Sequence, residues 1–231
     1  MTGWWLDEQA HAGTEHLDAE YVRGYERKAG FDPAGDVEVL LRHGLGPDSV
    51  VVDLGAGTGV FTAAVAPLCR RVIAVDVSPA MTAVLRARVE RLGLGNVEVV
   101  PAGFVTYEHR GDPADFVFSR NALHQIPDFW KVVALARVAG VLKPGGILRL
   151  RDLVYDFEPG EQDAVFDAWF AGAVTDPAAG WTAAELAEHI RLEFSTYSWL
   201  LEPMFERTGF TVVEREFARQ VYGAYTCRRV G

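Results

Sequence analysis

Cysteine is scarce in this chain: of 231 residues only Cys69 and Cys227 are thiols, and no short spacing pairs them. With the six histidines they make no tetrahedral zinc set, so no metal site is expected. Basic charge is short as well. The 22 Lys+Arg residues face 32 Asp+Glu, a formal net charge of −10, which argues against a nucleic-acid partner gripped through its phosphates. No stretch supplies the roughly 20 consecutive apolar residues of a membrane span. The opening residues, Met1 to Glu8, hold neither a basic n-region nor an apolar h-region, so no secretory signal is expected. Together these absences predict a cytoplasmic protein with no membrane partner and no nucleic-acid partner.

What is present is ordinary globular composition, 49% hydrophobic and 23% charged, in a chain long enough to bury a core without staples. One domain over residues 1–231 is predicted, with no internal repeat or low-complexity tract. Helical spacing of Tyr21, Val22 and Tyr25 predicts a helix over 18–29, and a second fits 36–43. Short apolar runs then alternate with helical stretches. Strands are predicted at 50–52, 71–75, 97–100, 116–118 and 147–150, with helices over 60–68, 79–92 and 132–141 between them. The last third predicts helices at 163–173, after the capping box Thr182-Ala183-Ala184-Glu185, and at 196–208, followed by strands at 210–217 and 221–228. The fold class is therefore α/β: a Rossmann-like, doubly wound, mostly parallel seven-stranded sheet. One antiparallel strand stands near the C-terminus, and a helical cap is inserted between strands five and six. Residues 1–30 are read as an N-terminal lid segment and 155–209 as the cap with its following helix.

The most informative stretch is Asp53-Leu54-Gly55-Ala56-Gly57-Thr58-Gly59, at the first strand-to-helix turn, where open α/β sheets bind ligands. Asp76 ends the second strand 23 residues beyond Asp53, close to the interval of about 20 at which such folds set an acid against ribose hydroxyls. The glycine spacing is G-x-G-x-G and not the G-x-G-x-x-G of dinucleotide sites. A carboxylate two residues before the first glycine would repel a pyrophosphate but suits a ligand carrying an ammonium group. A ribose, an adenine and an amino acid meet these demands together.

From Asp18 onward the chain resembles the class I S-adenosylmethionine-dependent methyltransferases, most closely the branch acting on small molecules such as quinones and natural products. The resemblance rests on Asp53 to Gly59, on Asp76, on the Leu142-Lys143-Pro144-Gly145-Gly146 turn and on the block from Asp115 to His124. It implies that Gly55, Ala56, Gly57, Thr58 and Gly59 run along the amino-acid part of the cofactor and that Asp53 stands near its ammonium. It implies that Asp76 accepts both ribose hydroxyls, that Val77 and Met81 flank the adenine, and that Asn121 and Leu123 offer backbone near the sulfonium. After strand three the family usually has an acid for the adenine amine. Here Pro101-Ala102-Gly103-Phe104 has none, so that contact falls to the Gly103 and Phe104 backbone or to water. Tyr25 resembles a tyrosine that closes over the cofactor; simple packing of Tyr21 and Tyr25 on the core stays open as the alternative.

The reaction implied is in-line methyl transfer to a small-molecule acceptor, leaving S-adenosylhomocysteine. His124, after strand four, is the candidate general base, with a structural histidine as its alternative. The other five histidines are expected at the surface. Aromatics expected to line the acceptor pocket are Trp4, Trp5, Tyr21, Tyr155, Trp169 and Tyr197. The segment Glu193-Phe194-Ser195-Thr196-Tyr197 also resembles a recurrent one in this branch, without a derivable chemical role. Two other classes stay open: a cofactor-binding enzyme of the same fold with non-methyl chemistry, and a non-catalytic binding module.

Overall fold

Strand β1 (Val50–Leu54) is buried along its whole length, as a strand must be when helices cover both faces of its sheet. The computed structural model describes residues 3–231, the side chains of Thr14 and Glu15 excepted, so Met1 and Thr2 of the expected lid segment lie outside the described residues. Val50, Val52 and Leu54 enter one core with Leu135 and Val138 of α5 (Asp128–Val141) and Phe205 of α8 (Ser198–Arg207). Val51 enters the opposite core, with Leu40 of α2 (Ala34–Arg42) and Phe61 and Val65 of α3 (Val60–Val65). The period of two along β1 thus divides a continuous apolar run between two helical layers.

The other strands are β2 (Arg71–Asp76), β3 (Val97–Pro101), β4 (Ala114–Arg120), β5 (Leu142–Tyr155), β6 (Thr196–Tyr197), β7 (Phe210–Ala218) and β8 (Tyr222–Arg229). Their order is β3-β2-β1-β4-β5-β8-β7, with two-residue β6 pairing β5 off this path. Strands β1 to β5 are mutually parallel, and β8 lies antiparallel to both β5 and β7. The doubly wound sheet with one antiparallel strand near its end is as the sequence predicts. Between β1 and β4 the winding reverses, which opens a crevice at the C-terminal ends of the strands.

Three elements differ from expectation. Strand β5 runs on past Leu150 to Tyr155, because β8 pairs with it from Ile147 to Leu153 and Asp36 of α2 takes Arg149 Nε and Arg151 Nη1, each at 2.9 Å. Charged residues in a strand interior are stable here because their charges are answered. Thr196 and Tyr197 open no helix; they pair with Val154 and Tyr155, and α8 begins at Ser198. The helix expected over 60–68 closes at Val65 and tightens into a 3-10 turn around Pro67, where proline removes an amide donor.

Helices α6 (Gln162–Phe170) and α7 (Ala183–Leu192) lie between β5 and β7 in sequence. They bring Val165, Trp169 and Leu186 against Leu153, Tyr155 and Val221 in a third apolar cluster. The capping box forms as its sequence predicts: Glu185 N donates to Thr182 Oγ1 at 3.3 Å and Thr182 N to Glu185 Oε2 at 2.9 Å. At the other end of the chain, α1 (Ala19–Ala29) is capped by Asp18. It is tied to α7 by the Lys28–Glu185 ion pair and to α4 (Pro79–Leu92) by Glu26–Arg88 at 2.5 Å. Among the described residues no helix is long and apolar enough to cross a membrane.

Candidate active site

The loop after β1 turns through three left-handed glycines, Gly55, Gly57 and Gly59. A Cβ on Gly55 would sit 2.4 Å from that of Ala122 across the crevice, and one on Gly59 would sit 2.1 Å from Leu85 Cδ1. Gly59 therefore serves the packing of the loop on α4, not the ligand side expected for it. Gly57 N donates to Asp76 Oδ2 and Ser78 N to Asp76 Oδ1, both at 2.8 Å. The acid at the end of β2 so holds the glycine loop and the start of α4 in one frame. Ser78 then caps α4 through Met81 N at 3.1 Å.

Two connected recesses flank this loop. The first, about 100 Å³, is lined by Gly55, Gly57, Asp76, Val77, Met81, Gly103, Phe104, Asn121 and Tyr25, all expected there. The second, about 250 Å³, is lined by Asp53, Ala56, Thr58, Tyr25 and Arg120. Leu123 stands apart: its side chain is buried in the core beside α5. Sequence reasoning missed Arg120, whose guanidinium stacks 4.1 Å from the Phe31 ring centroid while facing both recesses. It also missed Glu8. Glu8 Oε1 accepts from Val105 N, and Oε2 from Thr106 N, at 3.0 Å each. The carboxylate lies against Gly103, where a Cβ would come within 2.4 Å of it. An acid does stand after β3, but the N-terminal segment delivers it across 97 residues of sequence, beyond the reach of any local pattern.

The electrostatics are those of buried acids. Burial pushes the Asp53 carboxyl up to about 7, with the Asp76 charge adding to it and the Thr62 hydroxyl bond opposing. Burial also raises Asp76. Because the folded value for Asp53 lies above its ordinary one, the protonated form favours folding. Its contribution is complete below about pH 4 and is lost as pH rises to about 7. Asp53→Asn, which keeps the shape without the charge, is expected to melt progressively higher than the parent as pH goes from about 5 to 8. A melting difference that stays constant across that range, read by calorimetry, would remove the buried charge as its cause.

A larger cleft, about 520 Å³, opens beside the first recess and shares His11, His16, Tyr25, Asn121 and Gln125 with it. Asn121 holds a left-handed φ of +49° at this junction, a conformation costly for a residue with a Cβ. Of the aromatics expected here, Tyr21 and Trp169 line the cleft, joined by Trp181 and Tyr222. Trp4 and Trp5 instead stack with each other, and against Trp130 of α5 Trp4 lies stacked and Trp5 tilted, the ring centroids 5.4 to 5.9 Å apart. Tyr155 and Tyr197 pack into the cap's own core with Phe157 and Phe166. Apolar spacing along a helix or strand marks a buried face without saying whether core or ligand covers it.

His124 reaches this cleft, though not as the neutral base expected. Its Nδ1 bonds Asp152 Oδ1, its backbone N donates to Asp152 Oδ2 at 3.1 Å, and its Nε2 lies 2.9 Å from Glu193 Oε2. Burial opposes its charge, but Asp152 and Glu193 outweigh it and push the imidazole up to about 9. Burial likewise works against the Glu193 charge, yet His124 and His189 hold its carboxyl well below the usual range. His189, expected at the surface, has only 11% of its side chain exposed and stands 2.5 Å from the same Glu193 oxygen. His11 and His16 were also expected outside and line the cleft.

The segment 193–197, for which the sequence offered no role, is what places Glu193. Phe194 N donates to His124 O at 2.9 Å and its carbonyl accepts from buried Lys131. Ser195 Oγ meets His189 Nε2 at 2.8 Å, and Thr196 pairs with β5 and donates to Asp128 Oδ2 at 3.2 Å.

Residues 51–146 match the methyltransferase domain family. The chain is 25% identical over 217 residues to an uncharacterized methyltransferase of Geobacillus kaustophilus, covering 90% of this chain and 93% of that one. It is 31% identical over 172 residues to a trans-aconitate 2-methyltransferase of Methylobacterium radiotolerans, covering 72% of this chain and 61% of that protein. Among solved structures, the magnesium protoporphyrin IX methyltransferase of Synechocystis PCC 6803 with bound S-adenosylmethionine shares the fold. That likeness has a TM-score of 0.66 at 14% identity and covers 99% of this chain and 100% of that one. The residues present suit the cofactor: glycines leave the loop open, two buried acids face it, and the Ser119 hydroxyl behind Gly55 is buried without a partner. The methyltransferase-domain match spans β1 to the turn inside β5, and the fold around it is that of the class I S-adenosylmethionine-dependent methyltransferases.

Proposed function

We propose that the enzyme methylates a small polar or anionic molecule seated in the cleft beneath α7, in the reducing cytoplasm. The observation that carries the reading is the junction itself: Asn121, Tyr25 and Gln125 line both the cofactor recess and the larger cleft. A donor lodged against the glycine loop would therefore present its methyl to whatever occupies the cleft. Imidazoles of His11, His16, His124 and His189 face that space and suit an acceptor rich in oxygen. The net charge of −10 and the enclosed site speak against a nucleic-acid acceptor. Both cysteines are free and buried, which fits a reducing compartment.

The cofactor supplies a methyl on a sulfonium, activated for in-line displacement. The chain's part is to align donor and acceptor, worth on the order of 7–11 kcal/mol when the geometry is right. Asp76 takes the ribose hydroxyls, and Val77, Met81 and the Gly103–Phe104 backbone enclose the adenine. Gly55, Ala56, Gly57 and Thr58 line the amino-acid end, where Asp53 answers the ammonium and Arg120 the carboxylate. Tyr25 on α1 closes the crevice from above, and Glu8 fastens the N-terminal segment across the adenine end. Glu8→Ala removes two backbone-to-carboxylate bonds, each worth roughly 1.5–3 kcal/mol. Part of that loss falls on closure, so cofactor affinity is expected to drop about tenfold; an unchanged Kd would separate this segment from the cofactor.

The test of the reading is a calorimetric titration with S-adenosylmethionine and S-adenosylhomocysteine, followed by labelled-methyl transfer into fractionated small metabolites. Saturable binding and label in a low-mass, acidic product are expected. Absence of binding by either ligand would sink the proposal, and label appearing in RNA or protein would redirect it.

A further inference from the structure

His124, His189 and Glu193 each offer one ligand atom at the floor of the acceptor cleft, all within 4.8 Å of one another. We propose that they form a three-ligand site for a divalent transition-metal ion of the zinc class, with its open position facing the acceptor.

The donor set is chemically apt. Two imidazoles and a carboxylate bind such ions at about 2.0–2.2 Å, and three protein ligands with one place left open are the pattern of catalytic rather than structural sites. Each imidazole is also held from behind. Asp152 takes Nδ1 of His124, leaving Nε2 toward Glu193 with the Gln125 side-chain amide 3.1 Å away, and Ser195 Oγ takes Nε2 of His189 at 2.8 Å, leaving Nδ1. An outer oxygen on the far nitrogen is how metal-binding histidines are oriented. Glu193 Oε2 supplies an independent sign. It lies 2.9 Å from one ring nitrogen and 2.5 Å from the other, yet it is buried with no hydrogen bond of acceptable alignment. Two rings and a carboxylate oxygen thus converge on one spot.

The sequence hides this set, because His124 follows β4 while His189 and Glu193 stand one turn apart at the end of α7. The cap therefore brings two ligands and the sheet one, so the site is complete only when α7 is docked. Its role rests on the methyl-transfer reading. An acceptor hydroxyl, thiol or carboxyl at the open position would give its proton to solvent and keep a lone pair aimed along the junction at Asn121. The new bond forms from that pair as the carbon–sulfur bond breaks, and the sulfonium leaves as a neutral thioether.

The experiment uses the whole chain, stripped with a chelator and titrated with Co²⁺ alone, followed by visible absorption and calorimetry. One Co²⁺ per chain with the intense bands of a low-coordinate site, displaced by Zn²⁺, is expected. Glu193→Gln should weaken Co²⁺ binding by more than about 100-fold, and Asp152→Asn, which offers the ion no ligand but holds the far nitrogen and the backbone amide of His124, by about 10- to 100-fold. S-adenosylmethionine affinity is measured on every sample, because it reports folding without using these residues. No saturable Co²⁺ band in protein that binds S-adenosylmethionine, or an undiminished band in Glu193→Gln, overturns the metal site and leaves methyl transfer standing. Co²⁺ binding in parent protein that takes up no S-adenosylmethionine would do the reverse.

Discussion

Asp76→Ala is expected to weaken S-adenosylmethionine binding by at least about 100-fold while the protein stays folded. Hydrogen bonds to a charged acceptor contribute roughly 1.5–3 kcal/mol each, and in the proposed pose those of two ribose hydroxyls would be lost together. The same carboxylate accepts from Gly57 N and Ser78 N at 2.8 Å. Its removal therefore also frees the glycine loop proposed to carry the amino-acid end. Asp76→Asn keeps the shape but loses the charge and one acceptor, and should cost about 10-fold. Calorimetry gives the ranking directly, with a melting curve as the control for folding. A Kd for Asp76→Ala within threefold of the parent would remove Asp76 from the ribose site.

The largest stability effect is expected far from the chemistry, at Asp36. This carboxylate is fully buried on α2 and receives Arg149 Nε and Arg151 Nη1, each at 2.9 Å. Arg149 has only 5% of its side chain exposed and also donates to Thr226 Oγ1 at 3.2 Å. Asp36→Ala strands that guanidinium without a counter-charge, at a cost of about 3–5 kcal/mol. For a chain of this length the melting temperature should fall by roughly 6–20 °C. If the stranded charge is the cause, pairing Asp36→Leu with Arg149→Met should recover most of the loss, since an apolar replacement of a buried pair is often nearly neutral. A double variant as unstable as Asp36→Ala would assign the loss to packing instead.

Much of the fold was legible because its signals are local. The run Val50-Val51-Val52, the Gly55–Gly59 turn, Asp76 and the Thr182 capping box each carry their meaning within a few residues. Steric limits on φ and the reach of a short side chain act over that distance. The lid and cap were legible only as helices. Trp5 and Trp169 look alike in sequence, yet Trp5 packs tilted against Trp130 and Trp169 lines the cleft. Burial alone drives both, and it does not distinguish a partner ring from a ligand. Strand β5 was read short because the answer to its arginines lies more than 100 residues earlier, at Asp36.

By itself the sequence determined the sheet, the glycine loop and its two acids, and with them the cofactor, because those features depend on backbone geometry and near-neighbour spacing. Only the tertiary structure decided what surrounds the cofactor. It set Glu8 against Gly103, turned His124 from a free base into one member of a cluster, and carried His189 and Glu193 on α7 to within reach of it. The physical reason is common to all three. A charged side chain in a folded protein is defined by the groups that answer its charge, and the chain brings those groups together only when the layers pack.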